Sequence, residues 1–517
     1  MTKRKMIRQT TGRGLDAKSA FVGLVDFGLF AEKMPPCFTS EGLSGQVNPA
    51  LAKIETEEDS NKLNESLGKF IHSQIRYQSL RDTNIPRHFA VPHPESYLAH
   101  CLAIKRCWGK IKDHCAKPSK PVSRIYVRKT IEDRIFKMDY KGEERFEVEA
   151  EEIAFQTGAT HIVKADISKC FPSIYTHSIP WAIHGKAAAK KNHSLLLEGN
   201  LLDRSCQVLA DHQTNGIAIG PHSSNVIAEI ILTKIDELLI NKGYERFTRH
   251  IDDYKFYATS HHEAEGFIRD LNLALREFEL YLNEKKTQIV RLPHPASTSW
   301  VNQLNQFSFP GGYIRFSTVR SFLDLGLELS QSYGTSAVLN YAIKMVPTRL
   351  NSRAKRLFTA EVINICLSYP YLAPLMQGHV FERHRHSDTD LQIETLGNEI
   401  IRIGIEKVYP EATAYALYLA IKYNLKLSMA EAELKEVITI DDCLSNVLLW
   451  EYAGLNKLNK IKAWLRTRAN NLKGQDKRDQ DEQWLFLYHV WSISDLRGNG
   501  QNFLADLKNQ GFTFIKF

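Results

Sequence analysis

Three aspartates are the residues of this sequence best suited to chemistry. Asp166 ends a short apolar run, and Asp252 and Asp253 stand side by side between two strand-like runs. Clustered carboxylates repel one another unless a positive charge lies between them. A pair of Mg²⁺ ions about 3.5–4 Å apart would activate an attacking hydroxyl and stabilise a departing pyrophosphate. The three residues therefore indicate metal-assisted phosphoryl transfer.

The elements that must position these aspartates follow from local patterns. The run 161-HIVKAD-166 predicts a strand, and the runs 246-RFTRHI-251 and 254-YKFYAT-259 predict a hairpin with the aspartate pair at its tip. Apolar residues on repeating faces predict a helix over 262–281. Strand, helices, hairpin and helix together favour an α+β domain with an antiparallel sheet.

Helical patterns dominate on both sides of this region. The spacing of apolar residues predicts helices over 60–80 and 97–107, with prolines between them. Beyond about residue 320, apolar residues at helical spacing predict helices over 322–329, 336–343, 361–367, 400–405, 412–423 and 484–491.

A basic segment, 117-KPSKPVSRIYVRKT-130, contains Arg124 and Arg128 around a short strand-like core. From the residues alone it is either a solvated edge strand or a surface that meets phosphates, and the first interpretation is favoured.

Composition excludes several classes of protein. The chain has 517 residues, a net charge of +8, 43% hydrophobic and 24% charged residues, which is ordinary for a globular protein of two or three domains. Eight cysteines without a C-x-x-C pair favour a reducing compartment over a zinc ribbon or a disulfide scaffold. No apolar run approaches the ~18–20 residues that span a bilayer, so we expect a cytoplasmic protein with no membrane partner.

Four segments in order resemble the palm motifs of reverse transcriptases over roughly residues 80–295. They are 162-IVKADISKCFPSI-174, 216-GIAIGPHSSNVIAE-229, 249-RHIDDYKFY-257 and 282-LNEKKTQI-289. Asp166 with Phe171 matches the first motif, an aspartate with an aromatic residue five positions later. Asn283, Lys286 and Thr287 match the Asn-x-x-Lys-Thr of the fourth.

The resemblance implies a metal site. Asp166 and Asp252 would be the principal ligands of Mg²⁺, with Mn²⁺ as a possible substitute, and Asp253 would complete the acidic cluster. Ile167 would join the metal and nucleotide site through its backbone.

The resemblance also implies contacts to an incoming dNTP. Phe171 would stand beside the sugar and exclude a 2′-hydroxyl, and Lys286 would approach the triphosphate. Arg124 and Arg128 lie where the fingers of such enzymes bind the triphosphate. For these two residues, contact with phosphates is therefore favoured over a solvated edge strand.

Each of these residues also has a purely structural interpretation. Asp166 could cap a helix that starts at Ile167, Phe171 could be a core residue, and Lys286 could be a solvated lysine at a helix end.

Two departures narrow the resemblance. Where most copying reverse transcriptases have Pro-Gln-Gly, this chain has Ala218-Ile219-Gly220-Pro221, and His250 replaces the usual aromatic residue before the aspartate pair. The features retained in the second segment resemble bacterial abortive-infection and other defence-associated reverse transcriptases; they are Gly220, Pro221, Ser224, Ala228 and Glu229.

This narrower resemblance implies an architecture. It is an α+β reverse-transcriptase-like palm and fingers with an antiparallel sheet, followed by an all-α helical-repeat C-terminal domain. The expected domains are an N-terminal helical extension over 1–80, fingers and palm over 81–300, and the helical domain over 301–517.

It also implies a function in antiphage defence within the bacterial cytoplasm. The enzyme would form a homo-oligomer, a trimer or a hexamer, and polymerise dNTPs into single-stranded DNA from a protein primer. The template would be absent or supplied by a partner non-coding RNA. Tyr126, Tyr175 and Tyr254 lie close to the motifs, but nothing in the sequence selects one as the primer.

Two alternatives stay open at this point. One is a conventional, primer-dependent, RNA-templated reverse transcriptase of the retron or group II intron type. The other is a catalytically silent palm that serves as a nucleic-acid-binding scaffold.

Overall fold

The computed structural model describes residues 15–82, 85–116, 118, 122–127, 136–137, 143–295 and 297–517. The chain forms two compact units, each built from several stretches of sequence. The first unit takes the described residues of 1–31, 39–74 and 90–294, and the second takes those of 32–38, 75–89 and 295–517. The three consecutive domains expected from the sequence stay a prediction.

The elements up to residue 294 are a mixture of helices and short strands. The helices are α1 (Ala17–Phe27), α2 (Pro49–Thr56), α3 (Ser60–Gly68), α4 (Pro94–Cys115), α5 (Glu143–Gln156), α6 (Cys170–Ser173), α7 (Ser178–His184), α8 (Lys186–Lys191), α9 (Glu198–Leu209), α10 (His222–Asn241) and α11 (His261–Arg276), with a 3₁₀ turn at Leu43–Gln46. The strands are β1 (Gln74–Asp82), β2 (Ile85–Pro92), β3 (Tyr126–Val127), β4 (Phe136–Lys137), β5 (His161–Asp166), β6 (Phe247–His250), β7 (Asp253–Ala258) and β8 (Gln288–Arg291).

A four-stranded sheet forms the centre of the first unit. Its order is β6-β7-β5-β8, and each neighbouring pair is antiparallel. Strand β5 and the β6–β7 hairpin lie where the sequence predicts them. The strand register sets Asp166 directly opposite Asp253 on neighbouring strands.

Helix α11 packs its apolar face against β5 and β7. The rings of Phe256 on β7 and Phe267 on α11 stack with centroids 4.3 Å apart. The hydroxyl of Ser260 accepts a hydrogen bond from the Glu263 amide and caps the helix start. The helix ends at Arg276, earlier than predicted, because the chain turns through Glu279, whose φ is +61°.

The predicted helix over 60–80 is wrong in its second half. Helix α3 begins at Ser60 but ends at Gly68, and β1 follows from Gln74. Within β1, Ile75, Tyr77 and Ser79 are buried and the residues between them are exposed. This alternation is the period of a strand. The helix predicted over 97–107 is confirmed as the middle of α4, which packs against α1, α2, α9 and α10.

Every regular element in the described residues 297–517 is a helix. They are α12 (Ser299–Gln306), α13 (Phe316–Tyr333), α14 (Ala337–Met345), α15 (Ser352–Ser368), α16 (Ala373–Leu375), α17 (Thr389–Glu406), α18 (Pro410–Lys422), α19 (Glu431–Ile440), α20 (Cys443–Leu455), α21 (Asn459–Asn470), α22 (Lys477–Asp481), α23 (Trp484–Val490), α24 (Ile493–Gly498) and α25 (Asn502–Asn509), with a 3₁₀ turn at Pro370–Leu372 and a π-helical turn at Met376–Phe381. The predicted helices of this region correspond to α13, α14, α15, α17, α18 and α23.

Short segments from early in the chain complete this second unit. Phe38 pairs with Ile515 in an antiparallel bridge, and the amide of Lys516 donates to the carbonyl of Cys37 at 2.8 Å. The hydroxyl of Tyr415 on α18 donates to the carbonyl of Met34 at 3.2 Å. The unit therefore depends on residues far apart in sequence.

All eight cysteines are buried and free of disulfides. In the part of the chain that the structure describes, no helix combines the length and the apolar character that crossing a membrane requires.

Candidate active site

The three aspartates predicted from the sequence converge at one end of the two central strands of the sheet. Asp166 is the last residue of β5 and faces Asp253, the first residue of β7. Asp252 immediately precedes Asp253 and lies in the two-residue turn that joins β6 to β7. One carboxylate oxygen from each of the three lies within 4.8 Å of the others. Antiparallel pairing thus joins residues about ninety positions apart.

The fourth predicted motif reaches the same site. Leu282 forms an antiparallel bridge with Ile167, and the amide of Asn283 donates to the carbonyl of Asp166 at 2.7 Å. The Asn283 side chain donates to Asp166 Oδ2 at 2.9 Å, and Lys286 Nζ lies 3.1 Å from Oδ1. Both carboxylate oxygens of Asp166 therefore have a donor that fixes their orientation. The Lys286 side chain is about half exposed, so it stays accessible from solvent.

The electrostatics of the cluster favour a bound cation. Burial, then the negative charge of Asp252, then a hydrogen bond with Asp166 raise the pKa of Asp253 to about 6, against a smaller opposing effect of Lys286. Burial, followed by the charges of Asp252 and Asp166, raises the pKa of the underlying Cys170 thiol to about 12. Three carboxylates in mutual reach form an oxygen donor set that hard divalent cations prefer, so the residues present fit Mg²⁺.

Ile167 and Phe171 lie immediately after β5. The Ile167 amide donates to the carbonyl of Asp252 at 3.2 Å, which ties the end of β5 to the hairpin tip. Phe171 is half-buried on α6, and its carbonyl accepts a hydrogen bond from the Ile217 amide at 2.9 Å. The residue that precedes α6 is Lys169, with φ +45°, so Asp166 does not cap a helix.

The predicted basic residues are placed only in part. The Arg124 amide donates to the carbonyl of Arg249 at 2.7 Å, so the segment of Arg124 runs beside β6. Its guanidinium is nearly buried and forms an ion pair with Glu151 of α5. Arg128 lies outside the described residues.

The tyrosines near the motifs differ in their surroundings. Tyr254 is buried and its hydroxyl donates to Asp236 at 3.1 Å. Tyr175 is half-buried, with its ring centroid 4.9 Å from that of His177 and 5.8 Å from that of Trp181. The side chain of Tyr126 lies outside the described residues.

Sequence reasoning missed a buried ion cluster behind the hairpin. Arg249 on β6 is fully buried and pairs with Glu229 and Asp236, both on α10. Burial lowers the pKa of Arg249, but the charges of Asp236 and Glu229 outweigh it and hold that pKa well above its usual value. The available signal was the spacing of Glu229 and Asp236, which lie seven positions apart and therefore on one face of α10, but this spacing does not indicate their partner.

Comparison with known proteins agrees with the fold. Residues 101–329 match the family model described as reverse transcriptase (RNA-dependent DNA polymerase). This stretch contains the four-stranded sheet and all three aspartates. The predicted reverse-transcriptase-like α+β fold with an antiparallel sheet and a helical C-terminal region is thereby confirmed, and the match supports a nucleotidyltransferase. No curated protein matches the sequence.

Solved structures of telomerases are similar over most of the chain. The Candida tropicalis telomerase in complex with the TWJ fragment of telomeric RNA is 12% identical, with 83% of this chain and 68% of that chain covered and a TM-score of 0.29. The apo telomerase from Candida tropicalis is 10% identical, with 90% of this chain and 76% of that chain covered and a TM-score of 0.31. The Candida albicans telomerase in complex with the TWJ fragment of telomeric RNA is 11% identical, with 82% of this chain and 68% of that chain covered and a TM-score of 0.28. At these TM-scores the likeness carries no argument about this chain.

Proposed function

We propose that this chain is a DNA polymerase of the reverse-transcriptase type that joins dNTPs by metal-assisted phosphoryl transfer. The observation that carries the proposal is the convergence of Asp166, Asp252 and Asp253, whose carboxylate oxygens lie within 4.8 Å of one another. The convergence falls inside the stretch that matches the reverse transcriptase family model.

The residues of the acidic cluster and Asn283 have separate proposed roles at this site. Asp166, Asp252 and Asp253 would hold Mg²⁺, or Mn²⁺ in its place, with the backbone of Ile167 beside them. When bound, such ions lower the pKa of the attacking hydroxyl and neutralise the charge of the leaving pyrophosphate. Asn283 donates to Asp166 and keeps its carboxylate turned toward the other two.

We propose that four further residues contact the incoming nucleotide. Phe171 stands beside the sugar of the incoming dNTP, where its ring leaves no room for a 2′-hydroxyl. Lys286, half exposed at the edge of the acidic cluster, neutralises charge on the triphosphate. Arg124 and Arg128 are further proposed contacts to the triphosphate, and for them the proposal rests on the sequence alone.

The narrower proposal is a bacterial defence enzyme that is protein-primed. It makes single-stranded DNA without a template or from a partner non-coding RNA, and it works in the cytoplasm as a homo-oligomer, a trimer or a hexamer. Its support is the sequence Ala218-Ile219-Gly220-Pro221 in place of the usual Pro-Gln-Gly, together with the helical C-terminal region.

Protein-primed synthesis leaves a direct signature. The purified chain is incubated with Mg²⁺ and labelled dNTPs, without primer or template, beside the Asp166→Asn variant. Products are resolved on a denaturing protein gel before and after nuclease and protease digestion. We expect label that stays with the wild-type protein, is removed by nuclease and is absent from the variant.

The other outcomes separate the alternatives. RNase treatment before the reaction shows whether copurified RNA is the template. Label that requires an added primer and RNA template would replace protein priming with a conventional reverse transcriptase of the retron or group II intron type. A protein that binds nucleic acid but incorporates no label under any of these conditions would be a silent scaffold and would contradict the proposal.

A further inference from the structure

A buried ion cluster lies directly behind the hairpin that carries two of the three aspartates. Arg249 on β6 faces Asp236 and Glu229 on α10, and all three side chains are nearly or fully buried. Replacing a buried ion cluster by apolar residues of similar volume is often neutral or stabilising. The presence of the cluster is therefore weak evidence for a role in stability.

All five N–H groups of the Arg249 guanidinium have partners. Nε lies 2.9 and 3.0 Å from the two oxygens of Asp236, and Nη2 bonds Asp236 at 2.8 Å and Glu229 at 3.0 Å. Nη1 bonds Glu229 at 3.0 Å, and its remaining N–H donates to the main-chain carbonyl of Ile251 at 3.1 Å. The two carboxylates fix the plane of the fork, and the fifth bond reaches the hairpin turn.

The turn residue that receives this bond has an unusual backbone. Ile251 has φ +55°, a left-handed conformation that is a genuine outlier for a β-branched residue. In two-residue hairpin turns in which the first central residue alone has a positive φ, glycine is the preferred residue at that position. Such a conformation is unfavourable for a residue with a side chain and persists only where its surroundings hold it. Asp252 follows immediately, so the conformation of Ile251 sets the direction of the aspartate pair.

We propose that Arg249 is a positioning residue, which holds Ile251 in its left-handed conformation and so places Asp252 and Asp253 in the metal site. This inference rests on the proposed function. It requires the planar guanidinium of arginine, because the three donors of a lysine ammonium radiate from one atom and cannot replace the five coplanar N–H groups that bond Asp236, Glu229 and the Ile251 carbonyl.

The Arg249→Lys variant tests the proposal while keeping the positive charge between the two buried acids. Mn²⁺ binding is titrated by electron paramagnetic resonance without nucleotide, and thermal unfolding reports the fold. We expect Mn²⁺ affinity to fall by ~10–100-fold, the usual effect of losing a group that orients metal ligands. Arg246→Lys is the matched control, because Arg246 lies just before β6 and its side chain donates to the Thr157 carbonyl, outside the cluster.

A second substitution separates positioning from plain stability. Glycine adopts positive φ without strain, so Arg249→Lys combined with Ile251→Gly should regain much of the lost Mn²⁺ affinity. A purely structural role in neutralising Asp236 and Glu229 would not respond to glycine at the turn. If Arg249→Lys does not fold, Asp236→Asn loosens the same fork while Glu229 still balances the arginine, and the same loss and rescue are expected.

Two results would overturn the inference. One is a folded Arg249→Lys protein with wild-type Mn²⁺ affinity, and the other is a loss that Ile251→Gly does not reduce. Asp252→Asn in the same titration keeps the two proposals apart. If that variant binds Mn²⁺ as wild type does, the proposed metal site fails and this inference with it, whereas a loss there beside an unaffected Arg249→Lys removes this inference alone.

Discussion

At the scale of the residue, the proposed sugar contact of Phe171 makes a specific prediction. Phe171 is half-buried on the short helix that follows Asp166. Phe171→Ala removes the ring that we propose beside the sugar, so discrimination against rGTP relative to dGTP should fall by ~10-fold or more. The measurement is the ratio of kcat/KM for the two nucleotides in the presence of Mg²⁺.

The matched control for this prediction is Phe155→Ala, since Phe155 is also half-buried but lies on α5. Its discrimination should equal that of the wild type. A folded Phe171→Ala enzyme that still rejects rGTP as the wild type does would remove Phe171 from the nucleotide site.

The residue types in the sequence indicated the three aspartates of the acidic site, but they did not indicate the buried Arg249 cluster behind them. Asp166 and the Asp252–Asp253 pair stand at the ends of strand patterns, so their local flanks were enough. The partners of Arg249 lie 13 and 20 residues away on α10, and no local spacing indicates that this helix packs behind β6. Their pairing could be read only from the fold.

At the scale of the element, Glu411 links the start of α18 to β1. Its buried carboxylate accepts hydrogen bonds from the Ser79 hydroxyl at 2.7 Å and the Leu80 amide at 2.8 Å. Burial outweighs these bonds and a weaker effect of Lys33, and raises the pKa of Glu411 from 4.5 to about 7. The carboxyl therefore keeps its proton in the folded chain at pH values where the unfolded chain has lost it.

The sign of the pH dependence follows from this difference. The stabilising contribution is complete below pH 4.5 and is lost as the pH rises to about 7. Between pH 4.5 and about pH 7, the free energy of unfolding of the wild type should fall by about 3 kcal/mol more than that of Glu411→Gln. Urea unfolding of both proteins at pH 5 and pH 8 measures it, and parallel pH profiles would contradict the prediction.

Secondary-structure elements could be predicted where the apolar residues kept a single helix or strand spacing throughout. The strand over 161–166 and the hairpin flanking the aspartate pair have clear boundaries, and both lie where predicted. The helix predicted over 60–80 failed because apolar residues of α3 and β1 happen to continue one helical spacing across the break after Gly68. Only burial shows that the period changes from helix to strand at that point.

At the scale of the whole molecule, the interleaved units make a prediction about truncation. Tyr77 is fully buried, and Met34, Cys37 and Phe38 are nearly so, in the second unit, whose main part begins at residue 295. A chain that ends at residue 300 leaves these side chains without the helices they pack against. We expect it to aggregate or to bind a hydrophobic dye strongly, unlike the full chain.

Size-exclusion chromatography and dye fluorescence of the two proteins check this expectation. A truncated chain that is monodisperse and binds no dye would show that the early segments do not need the C-terminal helices. It would then favour the contiguous domains expected from the sequence over the interleaved units.

The central claim is that the acidic cluster performs metal-dependent nucleotidyl transfer. Asp252→Asn keeps the volume of the side chain and removes one charge that raises the pKa of Asp253. The variant should therefore fold at least as stably as the wild type while it loses activity. Asp441→Asn is the matched control, because Asp441 is exposed and pairs with Arg468 in the helical region.

The most direct measurement is the rate of dNTP incorporation by these three proteins in saturating Mg²⁺, with thermal unfolding recorded on the same samples. We predict a loss of about 1,000-fold or more for Asp252→Asn, equivalent to about 4 kcal/mol of transition-state stabilisation. Asp441→Asn should match the wild type. Incorporation by folded Asp252→Asn within tenfold of the wild-type rate would contradict the claim.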